Sequence, residues 1–135
     1  MKLKFLAVLI AVLFAAPAWA GTLQGVTMPD TATVNGKSLV LNGMGLRKKS
    51  FIKVYVAGLY LPSKMSDARA IVAADTERRM IMSFLRGVGK GKICGAWDSG
   101  LVDNTANVTS ELKSQFKTLC TYMADMSDGG KMTYT

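Results

Sequence analysis

Arg47 and Tyr55 are the residues of this chain best equipped for chemistry. They lie in Leu41-Asn42-Gly43-Met44-Gly45-Leu46-Arg47-Lys48-Lys49-Ser50-Phe51-Ile52-Lys53-Val54-Tyr55-Val56-Ala57-Gly58-Leu59-Tyr60-Leu61, where four cations and two phenols interrupt an otherwise apolar strand pattern. A guanidinium is planar and always charged, so it can meet a carboxylate with two parallel hydrogen bonds, and a phenol can add a third. Aimed into an apolar pocket, the pair is suited to an apolar molecule carrying one anionic or carbonyl group. These residue types define a ligand before they define a reaction. Each also has a plain structural reading: Arg47 as a solvated turn residue beside Lys48 and Lys49, Tyr55 as a strand residue whose hydroxyl meets water. Tyr60 lies on the opposite strand parity from Tyr55 and reads as packing. Asn42, Gly43 and Gly45 read as turn residues.

Composition removes several function classes. The chain has no histidine, so neither a Ser-His-Asp triad nor a histidine metal site can form. Two cysteines without histidine are a poor zinc site. Gly87-Val88-Gly89-Lys90-Gly91-Lys92 evokes a phosphate loop, but its spacing departs from G-x-x-x-x-G-K-[ST] and Ile93 replaces the hydroxyl that would bind magnesium. No cofactor is implied. The formal net charge is +8. Apart from Arg47-Lys48-Lys49 and Arg78-Arg79, the cations are dispersed and not interleaved with aromatics, which argues against nucleic acid and for a solvated surface.

The first twenty residues read as an export signal. Lys2 and Lys4 precede the apolar run Phe5 to Ala16, and Ala18-Trp19-Ala20 supplies the small-x-small pattern of a cleavage site. The run is shorter than the roughly 20 residues of a membrane-spanning helix. The mature chain is expected to begin at Gly21, in the periplasm or outside the cell, with no membrane span. It retains fifteen cationic and nine acidic side chains, a net +6, and is long enough for one domain over 21–135. In that setting Cys94 and Cys120 can form a lasting disulfide; two small buried hydrophobes are the alternative.

The elements that must position these residues can be read from periodicity. Val26 to Thr33 and Lys37 to Asn42 are predicted strands joined through Asn35-Gly36, a strong hairpin signal. Phe51 to Leu61 is apolar on both faces and reads as a central strand, ended by Pro62. Ser66 to Ala74 is a short helix capped by Ser66, and Arg79 to Arg86 a methionine-rich strand. Helices follow over Lys92 to Val102 and Val108 to Met126. In the second, Val108, Leu112, Phe116, Leu119, Met123 and Met126 form an apolar stripe that leaves Glu111, Lys113, Lys117 and Asp125 to solvent. Asp128-Gly129-Gly130 turns the chain into a final strand, Lys131 to Thr135. The chain ends within that strand, so the domain is expected to be incomplete, with an exposed edge.

The Leu41-to-Arg47 and Phe51-to-Leu61 segments, with the order of elements after them, resemble the chalcone isomerase-like family, in particular its exported bacterial branch. The similarity extends over roughly residues 23 to 135, and family members continue beyond this point with further strands and a helical section. The resemblance implies an α+β fold, an open-faced β-sandwich whose antiparallel sheet carries helices on one side and a ligand cleft between. It also implies an anionic anchor at Arg47, used by ring-closing enzymes to steady a phenolate and by fatty-acid binders to hold a carboxylate. Tyr55 matches the binding branch, where the enzymes carry threonine. Val88 to Ala96 lacks the tyrosine and asparagine that the enzymes present there.

The leading expectation is therefore an exported, non-catalytic binder of a fatty acid or similar amphipathic anion, with Arg47 and Tyr55 as ligand-binding residues. One alternative is an intramolecular lyase of the chalcone-to-flavanone type, with Arg47 as electrostatic stabiliser and Tyr55 as hydrogen-bond donor. The other is an envelope interaction protein that receives a partner strand on a sheet edge.

Overall fold

The computed structural model describes residues 21–135. The export signal assigned to residues 1–20 lies outside the described residues. A small hairpin, β1 (Gly21–Leu23) and β2 (Val26–Met28), precedes β3 (Thr31–Val34), β4 (Lys37–Lys49) and β5 (Ile52–Leu61). Then come α1 (Ala68–Ala73), β6 (Arg79–Phe84), α2 (Lys90–Asn104), α3 (Ser110–Thr121) and β7 (Lys131–Tyr134). The main sheet is antiparallel in the order β3-β4-β5-β6-β7, which makes β5 the central strand, as its two apolar faces predict. Among the described residues no helix is long and apolar enough to cross a membrane.

One face of the sheet holds the core. Val34, Leu39, Leu41, Val56 and Tyr60 cluster there with Met28, which arrives from the β1–β2 hairpin laid across this face. Gly58 admits that hairpin: a Cβ at this position would collide with the Met28 sulfur. Tyr60 has 0% of its surface exposed, and its hydroxyl donates to the Pro29 carbonyl at 2.8 Å. The packing role expected for Tyr60 is the one it has. Tyr134, on the other face, lies 5.1 Å from Trp97 of α2 between ring centroids, so α2 lies on that side, with α3 held to it through Trp97–Phe116 and the Cys94–Cys120 bridge.

The hairpin signals translate directly into geometry. Asn35 and Gly36 both take positive φ, 49° and 76°, between the paired Val34 and Lys37. Positive φ at both central residues matches the right-handed twist of the flanking strands.

Several boundaries differ from expectation. The predicted strand Val26 to Thr33 is two strands in different sheets, divided at Pro29-Asp30. Proline has no N–H for a ladder, and the chain turns here from the covering hairpin into the main sheet, with Leu41 N donating to Asp30 O at 2.7 Å. Asn42, Gly43 and Gly45 are not turn residues, because β4 runs on to Lys49 under the pairing of β5. Asp67, not Ser66, caps α1, accepting from Arg69 N and Ala70 N at 2.9 and 3.3 Å. Thr109 caps α3. This helix ends at Thr121, before the expected Met126, because Met126 leaves it to exchange backbone hydrogen bonds with Val88 at 2.8 and 2.9 Å.

Candidate functional site

Whether Arg47 and Tyr55 can act together depends on strand parity. Leu41 and Arg47 are six residues apart, so a regular strand would put both on one face, and Leu41 belongs to the core. A register shift intervenes: Leu41 pairs with Tyr60 but Gly43 with Leu59, leaving Asn42 as an extra residue in β4. Such a bulge reverses the faces of everything that follows it. Arg47 is thereby placed directly opposite Tyr55, on the face turned away from the core cluster.

The bulge is held from outside the strand. Asn42 Oδ1 accepts from the Met65 backbone N–H at 2.7 Å, and the Lys64 ammonium donates to the Leu41 carbonyl. The residues after Pro62 thus fasten the distortion that sets the direction of Arg47. A second shift follows Arg47, where Lys48 pairs with Lys53 and Val54 is the extra residue in β5. Lys53 turns towards the covering hairpin, its ammonium 2.6 Å from Gln24 Oε1.

Beyond Arg47 and Tyr55 the same face continues as a track of two glycines, an alanine and a leucine. Gly45 pairs with Ala57 and Gly43 with Leu59. No atom lies within 4 Å of where a Cβ would sit on either glycine, so the track is an open trough. Four residues of strand give it a length of about 14 Å. Along its other side run Phe84, Met82 and Met80, the partners of Tyr55, Ala57 and Leu59 in β6. Tyr55 packs on Phe84 at 5.6 Å between ring centroids.

The Arg47 guanidinium is solvent-exposed. Among the described residues no carboxylate lies within ion-pair distance of it; the one ion pair found joins Lys37 and Glu77 at 2.8 Å. Its charge is available at the mouth of the trough. Two concavities of about 350 and 430 Å³ lie elsewhere, around Trp97, Leu101 and Phe116 and around Leu101, Val102 and Lys117. Neither includes Arg47 or Tyr55.

Tyr134 is a neighbour that the sequence reading did not single out. Burial pushes its phenol up from the ordinary value, an effect opposed by a hydrogen bond with Trp97 and reinforced by the proximity of Tyr55. The alternation of Lys131 to Thr135 marks Tyr134 as a strand residue, but nothing local to that strand reveals that Tyr55 is close. Cys94 and Cys120 are joined in a disulfide, with Cα atoms 5.6 Å apart, and tie α2 to α3.

The profile of one protein family, described as chalcone isomerase-like, matches residues 20–135. The chain belongs to the chalcone isomerase-like family. The antiparallel sheet with helices on one face is the α+β open-faced arrangement expected of a member. None of the curated proteins compared with the chain matches it. Val88 to Ala96, where the isomerase branch would carry its tyrosine and asparagine, forms the approach and first turns of α2. In this chalcone isomerase-like domain that stretch contributes a buried Ile93 and a bridged Cys94.

Proposed function

We propose that the protein is an exported, non-catalytic binder of a fatty acid or similar amphipathic anion. The observation that carries this reading is the opposition of Arg47 and Tyr55 at the head of an open trough floored in part by Gly43 and Gly45. The carboxylate would accept from the guanidinium and the Tyr55 hydroxyl, and the acyl chain would lie over Gly45, Ala57, Gly43 and Leu59. Charged hydrogen bonds contribute about 1.5–3 kcal/mol each, whereas burying a methylene contributes about 0.8 kcal/mol. A chain of a dozen methylenes therefore supplies most of the affinity, and Arg47 sets orientation and selects for an anion. Export rests on the leader pattern in residues 1–20.

Denaturing extraction and mass spectrometry of the purified protein should release a fatty acid in near-stoichiometric amount, depleted in Arg47→Ala. Calorimetric titration with hexadecanoate should show a loss of roughly ten- to a hundredfold in affinity for Arg47→Ala and a few-fold loss for Tyr55→Phe. A folded wild type that neither co-purifies with nor binds a fatty acid overturns the proposal. Turnover of 2′-hydroxychalcone above its spontaneous rate, abolished by Arg47→Ala, would overturn the non-catalytic part.

A further inference from the structure

The far end of the β4–β5 hairpin carries features that neither the fold nor the Arg47–Tyr55 pair explains. Phe51 sits at the tip with 91% of its surface exposed, beside Ile52 at 39%. The two-residue connection Ser50-Phe51 joins the paired Lys49 and Ile52. Ser50 there adopts φ 54°, in the left-handed region that glycine or asparagine normally occupies. Lys48 is paired directly with Lys53, and like charges facing each other across a ladder oppose strand pairing.

The tip also stands clear of the remaining sheet. β3 pairs with β4 only as far as Val40, and β6 with β5 only from Tyr55 onwards, so residues 48–53 pair with each other alone. No acidic residue occurs between Asp30 and Asp67. Lys48 and Lys49 therefore flank an exposed phenylalanine and isoleucine with no compensating carboxylate in the hairpin.

We infer that this hairpin tip is a docking element for an anionic lipid bilayer. Phe51 and Ile52 enter the interface between headgroups and acyl chains while the surrounding cations meet lipid phosphates. The charge conflict between Lys48 and Lys53 is relieved by negative charge supplied from outside the protein. Docking of this kind does not depend on what the Arg47–Tyr55 pair holds.

Co-sedimentation with vesicles tests it. The purified protein should partition onto vesicles of phosphatidylcholine containing phosphatidylglycerol more strongly than onto phosphatidylcholine alone, and added salt should weaken the difference as screening increases. Phe51→Ser should reduce partitioning on the order of tenfold or more. The charge-reversal double variant Lys48→Glu, Lys49→Glu should remove the preference for phosphatidylglycerol. Phe51→Trp should show blue-shifted emission with phosphatidylglycerol vesicles and none with phosphatidylcholine. Because all these positions are exposed at a turn, unchanged urea midpoints would verify folding. Equal partitioning of wild type and all three variants overturns the proposal, as would a tip that becomes protected only in a protein complex.

Discussion

Asn42 shapes the candidate site without belonging to it. Its side chain holds the Met65 amide and occupies the extra position that turns Arg47 away from the core. Asn42→Ala leaves that amide without its acceptor and should cost about 1 kcal/mol, read as a lower urea midpoint. Deleting residue 42 should be far worse. Met44 and Leu46 would lose their contact with the core and Arg47 would be driven towards it, so no cooperative unfolding transition should remain. Gly45→Leu tests the trough separately. The position is open to solvent, so the variant should keep the wild-type midpoint yet bind hexadecanoate at least tenfold more weakly. Arg47 and Tyr55 stood out in the sequence as residue types, although each also had a plain structural reading. Their opposition was not legible. Parity counted from Leu41 points Arg47 the wrong way, and only the bulge, pinned by residues more than twenty positions later in the chain, corrects it.

Elements with strong local patterns were readable to within a few residues, and their ends were decided elsewhere. The stripe from Leu112 to Phe116 announced α3, but its end at Thr121 depends on a bridge between Val88 and Met126 that no helical periodicity contains. The pairing of β1 with β2 was missed because Gln24-Gly25 is an uncommon turn pair, although both residues take positive φ, 52° and 78°. α3 has no buried residue and α2 only Ile93 and Leu101, so the Cys94–Cys120 bridge provides much of what fixes one helix to the other. Its 26-residue separation corresponds to a chain-entropy stabilisation of about 3.5 kcal/mol. Thiol reductant should lower the midpoint accordingly and speed hydrogen exchange in α3 before it affects β4 and β5.

For the molecule as a whole, two phenols contribute to the loss of stability at alkaline pH. Burial raises the Tyr60 phenol, with Asp30 adding to the effect, and burial likewise raises Tyr134. In the unfolded chain both ionise near their ordinary value of 10.0. Between that value and the raised folded values the native state holds more protons than the unfolded one, so stability falls as pH rises. The contribution should be complete below pH 10 and lost progressively above it, and Tyr134→Phe should flatten part of that decline in urea midpoints measured across alkaline pH. The strand order has a kinetic consequence as well. β3, β4 and β5 are linked by two-residue turns, whereas β7 returns to β6 only after two helices. Contacts close in sequence form with the smallest loop-closure cost. Mutations at Leu39 and Val56 are therefore expected to slow refolding, while mutations at Met132 should chiefly speed unfolding. On that order of events the strands that bear Arg47 and Tyr55 pair early in folding, and Tyr134 joins them last.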